Sequence, residues 1–355
     1  PRAPSPEPLA GKRALASAAY APALRLLTIA EELGGAALFE TDYALALDVT
    51  VHRAQAAYLC GDFVLMEGLA TIVDRRATSL LDRVRVAEIR IQAAIGQNRL
   101  VEAVDGALAI LAELGVTFPS DPQGQDVMEA LGATSAAIAG RDAEALFALG
   151  EMVDPEKRAA LRLLQKITSA TYVARPALFP LVPMKGVLLS ATLGNTGAST
   201  YAYACYGIIL AGVVGDIPLA SDMGLLAVRL VDRFSAREYE ARTRYIDSCY
   251  VRHWCSHAFE TWESFAPIYA VGLETGDLEF AGWSLMMGSF HALYSGRPLV
   301  ETEEETARWV AAIAQVKQET ALQYARTGLQ TMRALMGRTV SPGSLTDWTG
   351  AYVEG

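Results

Sequence analysis

LLDRVRVAEIRIQAAIGQNRLVEAVDGALAILAEL, running from Leu80 to Leu114, is the stretch whose periodicity decides the fold. Leu80, Val84, Ala87, Ile91 and Ala94 recur at helical spacing, while Arg83, Arg85, Glu88 and Arg90 mostly take other faces. Leu100, Val104, Ala107, Leu111 and Leu114 make a second stripe. A 3.6-residue period gathers apolar side chains on one helical face, and that face must be buried against a neighbour. Only a short polar connection around Gly96-Gln97 separates the two stripes, and so short a link favours antiparallel packing. The stretch is a helical hairpin.

Working outward, the same grammar repeats. Leu219, Met223, Leu226, Leu230 and Phe234 form another stripe, and no run alternates with the period of two that a strand requires. Glycine followed by a polar residue punctuates the stripes at Gly61-Asp62, Gly96-Gln97, Gly140-Arg141, Gly215-Asp216, Gly276-Asp277 and Gly296-Arg297. Glycine is favoured just past a helix end because the left-handed conformation there carries no Cβ penalty. AAYLCGDFVLMEGLATI (Ala56–Ile72) lies over AAIGQNRLVEAVDGALAI (Ala93–Ile110) with Gly61 on Gly96, Leu65 on Leu100 and Glu67 on Glu102. That 35-residue offset is close to the tetratricopeptide (TPR) period of about 34. The expected fold is all-α: a TPR-like solenoid, or α-α superhelix, of antiparallel helical hairpins. Its parts are N-terminal hairpins over 1–115, an irregular middle over 116–195, C-terminal hairpins over 196–337 and a tail over 338–355. Within them, single helices are expected over 199–214 and 236–257.

Composition limits the function. Apolar residues make up 52% and charged residues 20%, a balance that folds and stays in water. The net charge of −10 and the lack of any basic run beyond Arg75-Arg76 argue against a nucleic-acid partner. Cys60, Cys205, Cys249 and Cys255 are scattered through apolar stretches, which suits reduced, buried thiols in the cytoplasm. The start at Pro1 suggests a piece of a longer protein, and Pro1–Pro8 has no secretion-signal pattern. Tyr201–Val214 is apolar, aromatic or glycine throughout, but it is shorter than the roughly 20 residues a membrane span needs. A buried helix is expected there.

Several strings together resemble one family. STYAYACYGIILAGVVGDI (Ser199–Ile217), RHWCSH (Arg252–His257), GLETGDLEFAGWS (Gly272–Ser284) and IAQVKQETAL (Ile313–Leu322) are similar to the helical region of large bacterial and fungal signalling kinases. AGKRALASAAYAPALRLLTIAEELG (Ala10–Gly34) resembles the start of that region, so the similarity runs over about 10–337. In that family a serine/threonine-kinase-like domain and an ATPase module precede the helices, and a GAF domain and a histidine kinase follow. The resemblance implies a non-catalytic, cytoplasmic scaffold or regulatory segment in signal transduction, with no cofactor of its own. Its partners would be proteins or neighbouring domains, a second copy of the chain included. The family's kinase and nucleotide chemistry would lie outside these residues.

The candidate site residues are aromatic and histidine side chains in the C-terminal half. His253 and His257, one helical turn apart, would share a face, with Tyr250 and Trp254 beside them and His291 approaching from a later hairpin. Tyr206 completes a tentative pocket for a ligand or partner. The alternative function this supports is a small-molecule sensor in the C-terminal hairpins. The same residues also suit a packed aromatic core, and Cys255 would project away from the histidines, so no metal site is expected. No catalytic residue is assigned. Gly11-Lys12 lacks the glycine, the hydroxyl residue and the strand of a phosphate loop. Glu301, Glu303, Glu304 and Glu305 read as a helix start complementing the positive end of its dipole.

Overall fold

The computed structural model describes residues 6–35 and 37–340. The tail expected over 338–355 therefore falls largely outside the described residues. The helices are α1 (Pro6–Ala16), α2 (Tyr20–Gly34), α3 (Leu38–Thr41), α4 (Tyr43–Leu59), α5 (Phe63–Arg76), α6 (Leu80–Gly96), α7 (Leu100–Glu113), α8 (Gly124–Ile138), α9 (Ala143–Phe147), α10 (Pro155–Ala174), α11 (Leu181–Leu193), α12 (Ser199–Ile209), α13 (Ile217–Phe234), α14 (Arg237–Ile246), α15 (Ala258–Trp262), α16 (Phe265–Thr275), α17 (Leu278–Tyr294), α18 (Leu299–Gln315) and α19 (Glu319–Leu335). The expected all-α fold is present. No named strand occurs among the described residues, and an isolated parallel bridge joins Glu151 and Asn195.

The chain forms two compact units, Pro1–Glu129 with Val153–Val182, and Ala130–Met152 with Pro183–Gly355. The stretch expected as a separate middle segment, 116–195, is thus shared between them. The reason is visible in α10, whose apolar face packs on α6 and α7 of the first unit.

In the first unit α4 and α5 form one hairpin and α6 and α7 the next, matched at 17 and 14 residues. The displacement is 37 residues (Tyr43 to Leu80, Phe63 to Leu100), which corrects the 35-residue register. Burial follows the longer period: Leu47, Val49, Thr50, Ala54, Ala56 and Ala57 are buried, and so are Val84, Val86, Ala87, Ile91, Ala93 and Ala94. The shorter register was drawn by Gly96, but Gly96 is the last residue of α6. Asn98 takes the left-handed turn in its place at φ 57°. Asparagine tolerates that region better than most side chains. At the other five glycine–polar pairs the glycine does have positive φ. Asp62 and Asp216 then accept the Leu65 and Leu219 N–H groups, so one dipeptide ends a helix and caps the next.

In the second unit α12 pairs with α13, α14 with α16, and α17 with α18, and α19 packs on both α17 and α18. Two helices leave the α geometry. A π turn, Leu210–Val214, prolongs α12, and a second, Asp247–Val251, ends α14 and passes into a 3₁₀ turn at Arg252–Trp254. The continuous helix expected over 236–257 is therefore broken. Two glycines admit the second π turn: a Cβ on Gly207 would stand 2.9 Å from Val251 Cγ2, and one on Gly224 would stand 2.4 Å from Asp247 Oδ1.

The extended bridge carries the tightest backbone approach. The Asn195 N–H donates to the Gly150 carbonyl at 2.9 Å, and Met152 N–H donates to the Asn195 carbonyl at 3.0 Å. Gly194 has φ +104°, and a Cβ there would lie 2.5 Å from the Gly150 oxygen. Gly194→Ala should lower stability by at least about 2 kcal/mol in urea unfolding, from combined backbone strain and collision. Gly68→Ala, in an open helical position with nothing within 4 Å, should instead raise it by about 0.5–1 kcal/mol.

Candidate functional site

Four of the six candidate residues are brought into one linked aromatic cluster of the second unit. Tyr250, in the π turn, meets Tyr245 edge-on at 6.1 Å, and Tyr245 meets Phe265 at 6.4 Å. Phe265 lies 4.9 Å from the His291 ring, His291 lies 6.0 Å from His253, and His253 lies 5.2 Å from Trp254. The chain of rings joins α14, α16 and α17, so the fold assembles residues that the sequence spreads over forty positions.

The other two candidates stand apart. The break after α14 places His257 at the start of α15, where its Nδ1 accepts the Phe259 N–H at 3.2 Å as a helix cap. His253 and His257 therefore do not share a helical face. Tyr206 is fully buried on α12. Its polar neighbour is Ser135, which does not complete a hydrogen bond of good geometry to the phenol. Burial pushes the Tyr206 phenol pKa above its usual value.

Inside the cluster His291 is the committed polar group. His291 is 8% exposed, and its Nδ1 lies 2.7 Å from Thr261 Oγ1, which ties α15 to α17. Burial, and then the neighbouring His253, lower the His291 pKa to about 4. Burial also lowers that of His253, whose buried Nδ1 makes no hydrogen bond of good geometry. Both rings are thus neutral near pH 7. Arg297 stacks over Trp262 at 3.7 Å and bonds Glu305 at 2.6 Å, closing the α17–α18 connection beside the cluster. Thr261, Phe265 and Tyr245 are the members the sequence did not single out; no short motif marks them, because their partners are remote along the chain.

Of the cysteines, Cys205 and Cys249 are buried, and burial pushes both thiols up to about 12. Cys60 and Cys255 are exposed, contrary to the expected burial, because both sit where a helix gives way to a connector. Gly11 lies within α1 against Leu27, away from any loop. Glu303 accepts from Arg333 at 2.9 Å and from Arg338 at 3.3 Å, so part of the acidic run is consumed in tying α18 to the end of α19. No group of three or more potential metal ligands converges among the described residues.

One hollow lies in the first unit. A cleft of about 530 Å³ is framed by α7, by Thr117–Pro122 and by the Arg175–Leu178 turn. A second, shallow groove on α5 runs along Phe63, Val64, Glu67, Gly68, Ile72 and Arg75. No helix is long and apolar enough to cross a membrane among the described residues. Compared with protein-family models and with curated proteins, the sequence gives no match.

The two histidines set a sign for the pH response. Groups whose folded pKa is depressed favour a folded state that binds fewer protons, so their stabilisation is present above about pH 6.5 and lost as pH falls toward 4. Chemical denaturation between pH 7 and 4 should show stability falling over that window, and His291→Asn should flatten the slope.

Proposed function

We propose that the chain is a non-catalytic helical-repeat scaffold, a regulatory segment of a larger cytoplasmic signal-transduction kinase that holds protein partners or neighbouring domains. The single observation that supports this best is the outer face of α5. Its inner face buries Met66, Leu69, Ala70 and Val73, yet Val64 is 87% exposed and Phe63 and Ile72 also reach solvent. A helix apolar on both sides leaves one side to be covered from outside. Gly68, with open space around it, lets another backbone come close.

The histidine and aromatic residues add to this reading by what they are used for. Their rings pack on one another, His257 caps a helix and His291 joins two, which is framework chemistry. The sensor alternative would need an opening at His253 and His291, and Phe265 and Thr261 occupy the space beside His291. The family resemblance supplies the signalling context, and stacked hairpins supply a way to carry it: each helix is held mainly by its neighbours, so a small rotation passes along the stack.

Hydrogen–deuterium exchange on the intact parent protein tests the proposal. Changing the bound nucleotide of the ATPase should alter protection in the α4–α7 hairpins, and Val64→Glu should weaken that response without unfolding the chain. Unchanged exchange in both nucleotide states would overturn it.

A further inference from the structure

The cleft of the first unit has a charge balance that hairpin packing does not use. Leu108 of α7, Phe118 and Pro119 are among its apolar lining residues. Its charged lining residues are Asp105, Asp121 and Arg175. Arg175 Nη2 donates to Asp105 Oδ1 at 2.6 Å, so those two offset one another. Asp121 is exposed, and among the described residues its carboxylate has neither an ion pair nor a hydrogen-bond donor. One uncompensated negative charge thus remains beside an apolar, aromatic hollow.

The chain leading into the wall that carries Asp121 is anchored at its base. Gly115 turns the chain at φ 74°, the Val116 N–H donates to the Leu111 carbonyl at 2.8 Å, and Lys157 Nζ donates to the Leu114 carbonyl at 2.5 Å. Val116 itself is buried. The hollow's volume of about 530 Å³ falls in the range of small-molecule sites.

We propose that this cleft binds a small amphipathic amine, an ammonium group on an aromatic or branched apolar body. The ammonium pairs with Asp121, and the body lies between Leu108 and the Phe118 ring, where the ring quadrupole also attracts a cation. An anion is disfavoured by the sum of the lining charges and by the −10 net charge of the chain. This assignment is independent of the scaffold reading, and either can fail without the other.

Titration calorimetry of the intact chain at low ionic strength tests it with 2-phenylethylamine, 2-phenylethanol and 3-phenylpropionate. The amine should bind at least about tenfold more tightly than the alcohol, and the acid should not saturate. Asp121→Asn, at an exposed and unpaired position, should keep the circular dichroism and melting temperature while bringing the amine down to the alcohol's affinity. Leu108→Trp should fill the cleft and remove binding of both. Equal affinity for amine and alcohol, or amine binding unmoved by Asp121→Asn, would sink the proposal. Binding confined to a blocked lysine-containing tripeptide, with free amines silent, would also sink it by pointing to a peptide groove.

Discussion

Each helix carries more apolar surface than one neighbour can cover, and this excess drives the rest of the structure. Removing apolar area from water contributes about 25 cal/mol per Å², so a second covered face on every helix is a large gain. α6 shows the solution: Val84, Ala87, Ile91 and Ala94 bury one side, while Val86, Ile89 and Ala93 bury another. Alanines at Ala54, Ala57, Ala93, Ala103 and Ala107 keep the contacts close. A helix in such an array must sit between its hairpin partner and the next hairpin. Where no neighbour follows, as on the outer side of α5, the apolar face stays open.

Charges trim this arrangement and do not drive it. Arg90 joins Glu67 at 2.7 Å and Asp74 at 2.6 Å, linking α6 to α5, and Arg83 pairs with Glu113 across the α6–α7 hairpin. Exposed pairs of this kind contribute about 0–1 kcal/mol each, so their value lies in fixing register. Arg242 is a different case. Its guanidinium lies over the Tyr201 and Phe280 rings and bonds Asp277 at 2.9 Å, a largely buried pair of the second unit. There the loss of Asp277 would leave a charge without its partner, which is more serious than losing a surface pair.

The histidine cluster illustrates how polar groups are absorbed into a framework. His291 and Thr261 complete each other, His257 caps a helix, and His253 is wedged between rings. A reactive centre needs polar atoms that converge on free space. Here His291 meets Thr261, and His257 meets a backbone N–H. The cleft of the first unit has the opposite character, since the exposed Asp121 has no ion-pair partner among the described residues.

Much was legible along the chain. The stripes of Leu80–Ala94 and Leu100–Leu114, and the Gly-Asp connectors at Gly61 and Gly215, are local matters of period and backbone conformation, so they determined the helices, their ends and their pairing into hairpins. The 37-residue register, the π turns after Ile209 and Ile246, and the parting of His253 from His257 were decided only by tertiary packing. Asn98 can replace a glycine at a turn, and Gly207 and Gly224 act through Val251 and Asp247, which lie far along the chain. Short-range pattern records which face of a helix is apolar. It does not record how closely another helix will approach that face, because that distance is set by side chains the local pattern never contains.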